Sequence, residues 1–130
     1  MDNHRVYDLQ KEKRIKILLE KSNKTDDLRE VYKLYNVVYE EYEFYNFDNA
    51  LKYIEENIQI AERLNNNLLL SQAKIKMGQL LVGSGRFKES LDVLKEIDRS
   101  ALSESLINNY FIAHKEAFVG LANNTVVKRS

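Results

Sequence analysis

Between residues 25 and 122 the apolar positions return every third or fourth residue, in blocks separated by short polar corners. That spacing puts them on one face of an α-helix. In the block from Thr25 to about Tyr45, the residues Tyr32, Tyr35, Tyr39 and Tyr42 share a narrow stripe, with Leu34, Val38 and Tyr45 beside it. The apolar arc is wide, so this helix is expected to meet more than one neighbour. A block from Asp48 to about Leu64 turns Ala50, Leu51, Ile54, Ile58 and Ala61 inward. The next, about Leu68 to Ser84, carries Leu69, Ala73, Met77, Leu80 and Leu81. A short block, about Phe87 to Ile97, carries Leu91, Leu94 and Ile97. The last, about Glu104 to Ala122, carries Leu106, Tyr110, Ala113, Ala117 and Leu121. Ahead of them, residues 2–21 read as a helix with an incomplete stripe of Val6, Leu9, Ile15, Leu18 and Leu19.

The corners carry helix stop and start chemistry. Asp2 or Asn3, Thr25, Asp48 and Ser103 can accept from the first free backbone N–H groups of the helices they precede. Three consecutive asparagines, 65–67, tolerate turn conformations, and Gly83 and Gly85 close the fourth block as a helix C-terminus. The polar, basic stretch 123–130 reads as a tail that frays.

Two corners match. Phe47-Asp-Asn-Ala50-Leu51 and Phe87-Lys-Glu-Ser90-Leu91 share the order aromatic, two polar, small, leucine, forty residues apart. A period in this range, built on helix pairs, means a stacked helical-hairpin array. The aromatic fills the gap at the turn. The small residue lets two helix backbones approach, as Gly78 does on the preceding helix. Together Gly78, Leu81, Gly85, Phe87, Ser90, Leu91 and Leu94 resemble a tetratricopeptide repeat (TPR). The first copy departs from that pattern: Val38 stands at the small position and Glu41 at a large apolar one, and no proline follows either second helix.

Three longer stretches resemble the sensor region of Bacteroidetes membrane-anchored transcriptional regulators of the starch-utilisation type. They are Tyr7 to Ile15; Tyr39-Glu-Glu-Tyr42 with Phe47 to Tyr53; and Ser84 to Leu94 with Ile97-Asp98. The resemblance implies a segment outside the inner membrane, hence periplasmic, followed by a membrane span and a cytoplasmic DNA-binding region, neither of which lies in these residues. The alternative is a peptide-binding repeat domain of a cytoplasmic DNA-linked regulator, or a chain whose natural start precedes Met1.

Composition narrows the chemistry. With 20 basic and 20 acidic side chains, no net field favours nucleic acid or an anionic membrane. Zero proline and four glycines suit helices better than an all-β fold. The absence of cysteine excludes disulfides, thiolate catalysis and cysteine-based zinc sites. No apolar run approaches the ~20 residues that span a bilayer. Lys11, Lys13, Arg14 and Lys16 would suit a phosphate or an acidic partner, but interspersed Asp8, Glu12 and Glu20 make them an ordinary solvated face. Gly83-Ser-Gly85 follows a helix rather than a strand, so it is no phosphate loop. His4 and His114 are far apart, and Glu40, Glu41 and Glu43 lack an apolar pocket to shift a pKa. Neither a catalytic set, a metal set nor a cofactor site is expected.

The reading is an all-α domain: antiparallel helical hairpins stacked as a short TPR-like right-handed array of about six helices. Residues 1–24 form an N-terminal helix. The repeats are 25–65, 68–98 and a partial 103–122, and 123–130 is the tail. The TPR resemblance implies a groove lined by the first helix of each pair. Its register places Tyr32, Tyr35, Tyr39 and Tyr42 there, then Gln72, Ile75 and Gln79, then Phe111, His114 and Phe118. Tyrosine offers apolar area with a polar tip and suits an interface, but apolar stripes usually serve as core. The expected partner is a protein or peptide, with a homodimer through the last helix as a further option. Nucleic acid is not expected to bind this segment, and a membrane would be met only through flanking regions.

Overall fold

The computed structural model describes the backbone of residues 3–129 and the side chains of residues 8–123. Among these residues there are six α-helices and no strand. They are α1 (Asn3–Asn23), α2 (Leu28–Tyr42), α3 (Phe47–Arg63), α4 (Asn67–Gly83), α5 (Phe87–Lys95) and α6 (Glu104–Arg129). A 3₁₀ turn at Arg99–Ala101 sits in the connector before α6. Helical hairpins in this order are consistent with a TPR-like array. The chain divides into two compact units, residues 1–60 and residues 61–130.

The corners explain the boundaries. α2 starts later than expected because Asp27, not Thr25, is its cap: Asp27 Oδ1 accepts from Arg29 N at 3.0 Å, and Thr25 Oγ1 accepts from Asp27 N. α3 is capped by Asn46, whose Oδ1 accepts from Asn49 N at 3.0 Å, rather than by Asp48. Asn65 adopts φ 52°, Asn66 N donates to Ala61 O, and Asn65 N donates to Glu62 O. Gly85 (φ 80°) repeats this, with Arg86 N donating to Leu81 O at 2.8 Å and Gly85 N to Val82 O. Both are Schellman closures, which satisfy the last carbonyls of α3 and α4. Ser103 caps α6 through Leu106 N at 3.4 Å. α6 runs through the stretch read as a tail, while the proposed caps Asp2 and Asn3, together with Val6, Tyr7 and His4, lie outside the residues whose side chains are described.

In the first unit α1 packs on α2, and α2 meets α3 where Tyr53 contacts Tyr35 and Tyr42; Ile15, Tyr32, Val38, Tyr39, Ala50 and Ile54 are all buried. In the second, Ile75, Leu94, Ile97, Tyr110 and Ala113 form a buried cluster, with Leu102 and Leu106 packed against it. The small residues of the repeat do what close approach requires. Ala50 and Ser90 are fully buried. A Cβ on Gly78 would stand 2.8 Å from Leu94 Cδ2, and Ser90 Oγ donates to Gly78 O at 2.8 Å, so the α4–α5 crossing is both tight and hydrogen-bonded. Phe87 fills its corner by laying its ring on Gly120 of α6, where a Cβ would collide with three ring atoms.

Candidate functional site

The tyrosine stripe belongs to the first unit. Tyr32, Tyr39 and Tyr42 are 4, 1 and 7% exposed, and Tyr35 is half-buried. The groove register put these rings at the surface; the structure puts three of them inside. The cause is local packing. α1 covers one side of α2, and Tyr53 of α3 reaches the other, edge-on to Tyr35 at 5.1 Å and stacked on Tyr42 at 6.1 Å. Tyr45 stacks on the opposite face of the ladder, 6.1 Å from Tyr42. Its hydroxyl donates to Glu12 Oε1 at 2.7 Å, which pushes its pKa up to about 12, and Lys11 Nζ lies 5.5 Å from its ring. Burial pushes the Tyr32 hydroxyl up to about 12 and the Tyr39 hydroxyl higher still. The basic stretch of α1 is engaged as well. Arg14 grips Glu41 through two bonds of 3.0 and 3.1 Å, which holds the Glu41 carboxyl below its ordinary pKa. The polar Glu41 at an apolar repeat position thus has a reason: it is the anchor for α1.

The second unit holds the rest of the candidates. Ile75, also assigned to the groove, is 2% exposed and sits in the core cluster with Tyr110 and Ala113. Gln72 and Gln79 on α4 are half-buried. On α6, Phe111 is 50% and Phe118 62% exposed, with His114 half-buried between them. Tyr110 orients this row: its buried ring stands edge-on to Phe111 at 5.3 Å and tilted 5.9 Å from His114. Ile112 and Val119 are exposed on the same helix. Beneath the other side of α4, a cavity of about 120 Å³ is lined by Ser71, Lys74, Glu96 and Asp98, and is spanned by a Lys74–Glu96 ion pair at 3.1 Å. Ser100 donates to Asp98 through hydroxyl and backbone and holds that carboxyl below its usual range.

All-helical hairpins, a repeat corner with a tight small-residue crossing, and an exposed aromatic row are the setting for the comparison with known families. The sequence profile described as the SusR N-terminal TPR domain matches residues 1–130. The chain belongs to this family. Neither curated proteins nor solved structures gave a match. TPR domains are repeat modules that typically mediate protein–protein interaction.

In this SusR-type TPR domain, no group of three or more His, Cys, Asp or Glu among the described residues is arranged to hold a metal ion. No described helix is long and apolar enough to cross a membrane. Sequence reasoning missed Tyr53 and Gly120. Tyr53 lies within the motif Phe47 to Tyr53 but two residues past the repeat signature, and an isolated helical glycine carries no mark of what packs on it. It also missed Ile107, which extends the row of Phe111, His114 and Phe118 by one turn at the spacing 4, 3, 4.

Proposed function

We propose that this TPR domain is the non-catalytic, sensory interaction segment of a larger transmembrane transcriptional regulator of polysaccharide utilisation. Family membership supports the regulator context, and the exposed aromatic row on α6 supports docking as the mode of action. Phe111 and Phe118, at 50 and 62% exposure, are the observation that carries it. Large aromatics held rigidly at a surface are the usual anchors of a protein interface. The partner is another protein or a peptide, and a second copy of the chain competes for the same face. Binding there would bias small rotations between packed helices, the ordinary means by which helical repeats transmit a signal.

The test is a reporter of polysaccharide-induced transcription in cells carrying the gene with Phe111→Ala/Phe118→Ala. Loss of induction at unchanged protein abundance is expected. Full induction would overturn the reading.

A further inference from the structure

α1 and α2 each finish their own ends at the junction between them. Lys24 N donates to Lys21 O at 3.1 Å and closes α1. Thr25 Oγ1 accepts from Asp27 N, and Asp27 Oδ1 caps α2 through Arg29 N. Neither helix needs the other for its end, so the link at Lys24 and Thr25 can act as a hinge. What holds α1 down beyond that hinge is thin. Among its described residues, Ile15 is the one large apolar side chain that is fully buried, at 2% exposure. Leu9 and Ile17 are 66 and 48% exposed, so docking hides little of them. Ser22 is buried too, but its hydroxyl donates to Leu19 O within α1 and leaves with that bond intact. The remaining ties are polar and lie at the surface: Arg14 to Glu41, Tyr45 to Glu12, and Lys11 over the Tyr45 ring. The hairpin of α2 and α3 has ties of its own. Asn57 Nδ2 donates to Tyr32 O at 3.1 Å, and Tyr53 packs on Tyr35 and Tyr42.

From this geometry we infer that α1 is a hinged strap, which swings off the α2–α3 hairpin as one piece while the hairpin stays folded. The Arg14–Glu41 pair is its latch, because it is bidentate and joins the middle of α1 to α2. α1 shares with Tyr42 the walls of a shallow groove that runs from Leu9 to Leu19. Docked, Tyr42 is 7% exposed. Undocking bares this ring, which stacking on Tyr45 and Tyr53 already orients, so a preformed aromatic surface replaces a covered one. The segment then has two states, and whatever binds one of them better shifts the balance. This device goes beyond the docking reading of α6 and does not depend on it.

The chain has no cysteine, so Ser22→Cys places a single thiol reporter at a buried site of α1 by exchanging oxygen for sulfur. Ser22 lies beside the hinge, where fraying from the N-terminal end of the helix arrives last. Labelling of the thiol by excess DTNB, relative to the urea-unfolded chain, measures the opening of α1. Hydrogen exchange of the α3 amides in the same variant measures the opening of the hairpin. The thiol is expected to open about tenfold or more readily than α3. Adding Arg14→Glu or Glu41→Arg raises labelling about fivefold and leaves α3 exchange unchanged, and Arg14→Glu/Glu41→Arg together restore it to within about twofold. Arg14 stands about two turns from Ser22, so fraying of the last turn of α1 alone would not respond to these changes. The unaltered chain supplies a second readout. Its α1 amides should exchange faster than those of α3, since a helix without tertiary packing is weakly held. Labelling and α1 exchange that only keep pace with α3 overturn the inference, because α1 then leaves only when the hairpin unfolds. So does labelling that the charge changes leave unaltered, or that the paired reversal fails to restore.

Discussion

Three glycines that look alike in the sequence differ in what surrounds them. A Cβ at Gly83 meets nothing within 4 Å, at Gly78 it presses on Leu94, and at Gly120 it enters the Phe87 ring. Alanine improves helix propensity by up to ~1 kcal/mol at any of these sites, while overpacking a filled core costs ~1–3 kcal/mol. A planar ring fixed in a corner yields less than a leucine methyl. Gly83→Ala is therefore expected to stabilise slightly, Gly78→Ala to be near neutral or mildly destabilising, and Gly120→Ala to destabilise by about 2 kcal/mol. Urea unfolding of the three variants checks the order. Ser90 adds a second lesson at this scale. The repeat pattern asked only for a small residue, but the hydroxyl also donates to Gly78 O from a fully buried site. The pattern made the size of this residue legible and left its hydrogen bond hidden, since an alanine such as Ala50 fills the matching position. Asn57 is similar: its Nδ2 donates to Tyr32 O at 3.1 Å across the first hairpin, a link no spacing rule announces.

At the scale of elements, the least legible helix was α1, whose apolar stripe is incomplete. Its attachment is largely polar: Arg14 to Glu41, Glu12 to Tyr45, and Lys11 over the Tyr45 ring. Such long-range pairs between exposed groups leave no periodic mark. The sign of their pH dependence follows from Glu41. Arg14 lowers its pKa in the folded state, so the stabilisation is fully present above the unfolded value of about 4.3 and is lost as pH falls through the lower folded value. Arg14 is 47% exposed, so the pair contributes less than ~1 kcal/mol. Glu41→Gln should cost that much at pH 7, and the gap to the parent should narrow as the pH falls below the unfolded value. A difference that stays the same at every pH from 7 down to the acid limit of the folded state, in urea titrations, would assign the effect to something other than this ion pair. By contrast, α4 and α5 were legible almost to the residue, because their corner glycine, aromatic and small residue each have a single structural use.

For the whole molecule, periodicity and the repeated corner made the fold class readable, and the longer stretches pointed to the family that the full-length match establishes. The surface was less readable. A stripe such as Tyr32–Tyr42 has the same periodicity whether it lines a groove or packs under α1 and Tyr53, and only burial separates the two cases. The structure assigns three of these tyrosines to the core and leaves Phe111 and Phe118 outside. The central claim is thus a division of labour: α2 tyrosines hold the fold, and α6 phenylalanines meet a partner. It is tested most directly by urea unfolding of Tyr32→Ala/Tyr39→Ala beside Phe111→Ala/Phe118→Ala. The tyrosine pair should lose several kcal/mol, since truncating one buried aromatic costs ~3–5 kcal/mol, and the phenylalanine pair should stay within about 1 kcal/mol of the parent. A stable tyrosine variant with an unfolded phenylalanine variant would contradict the account.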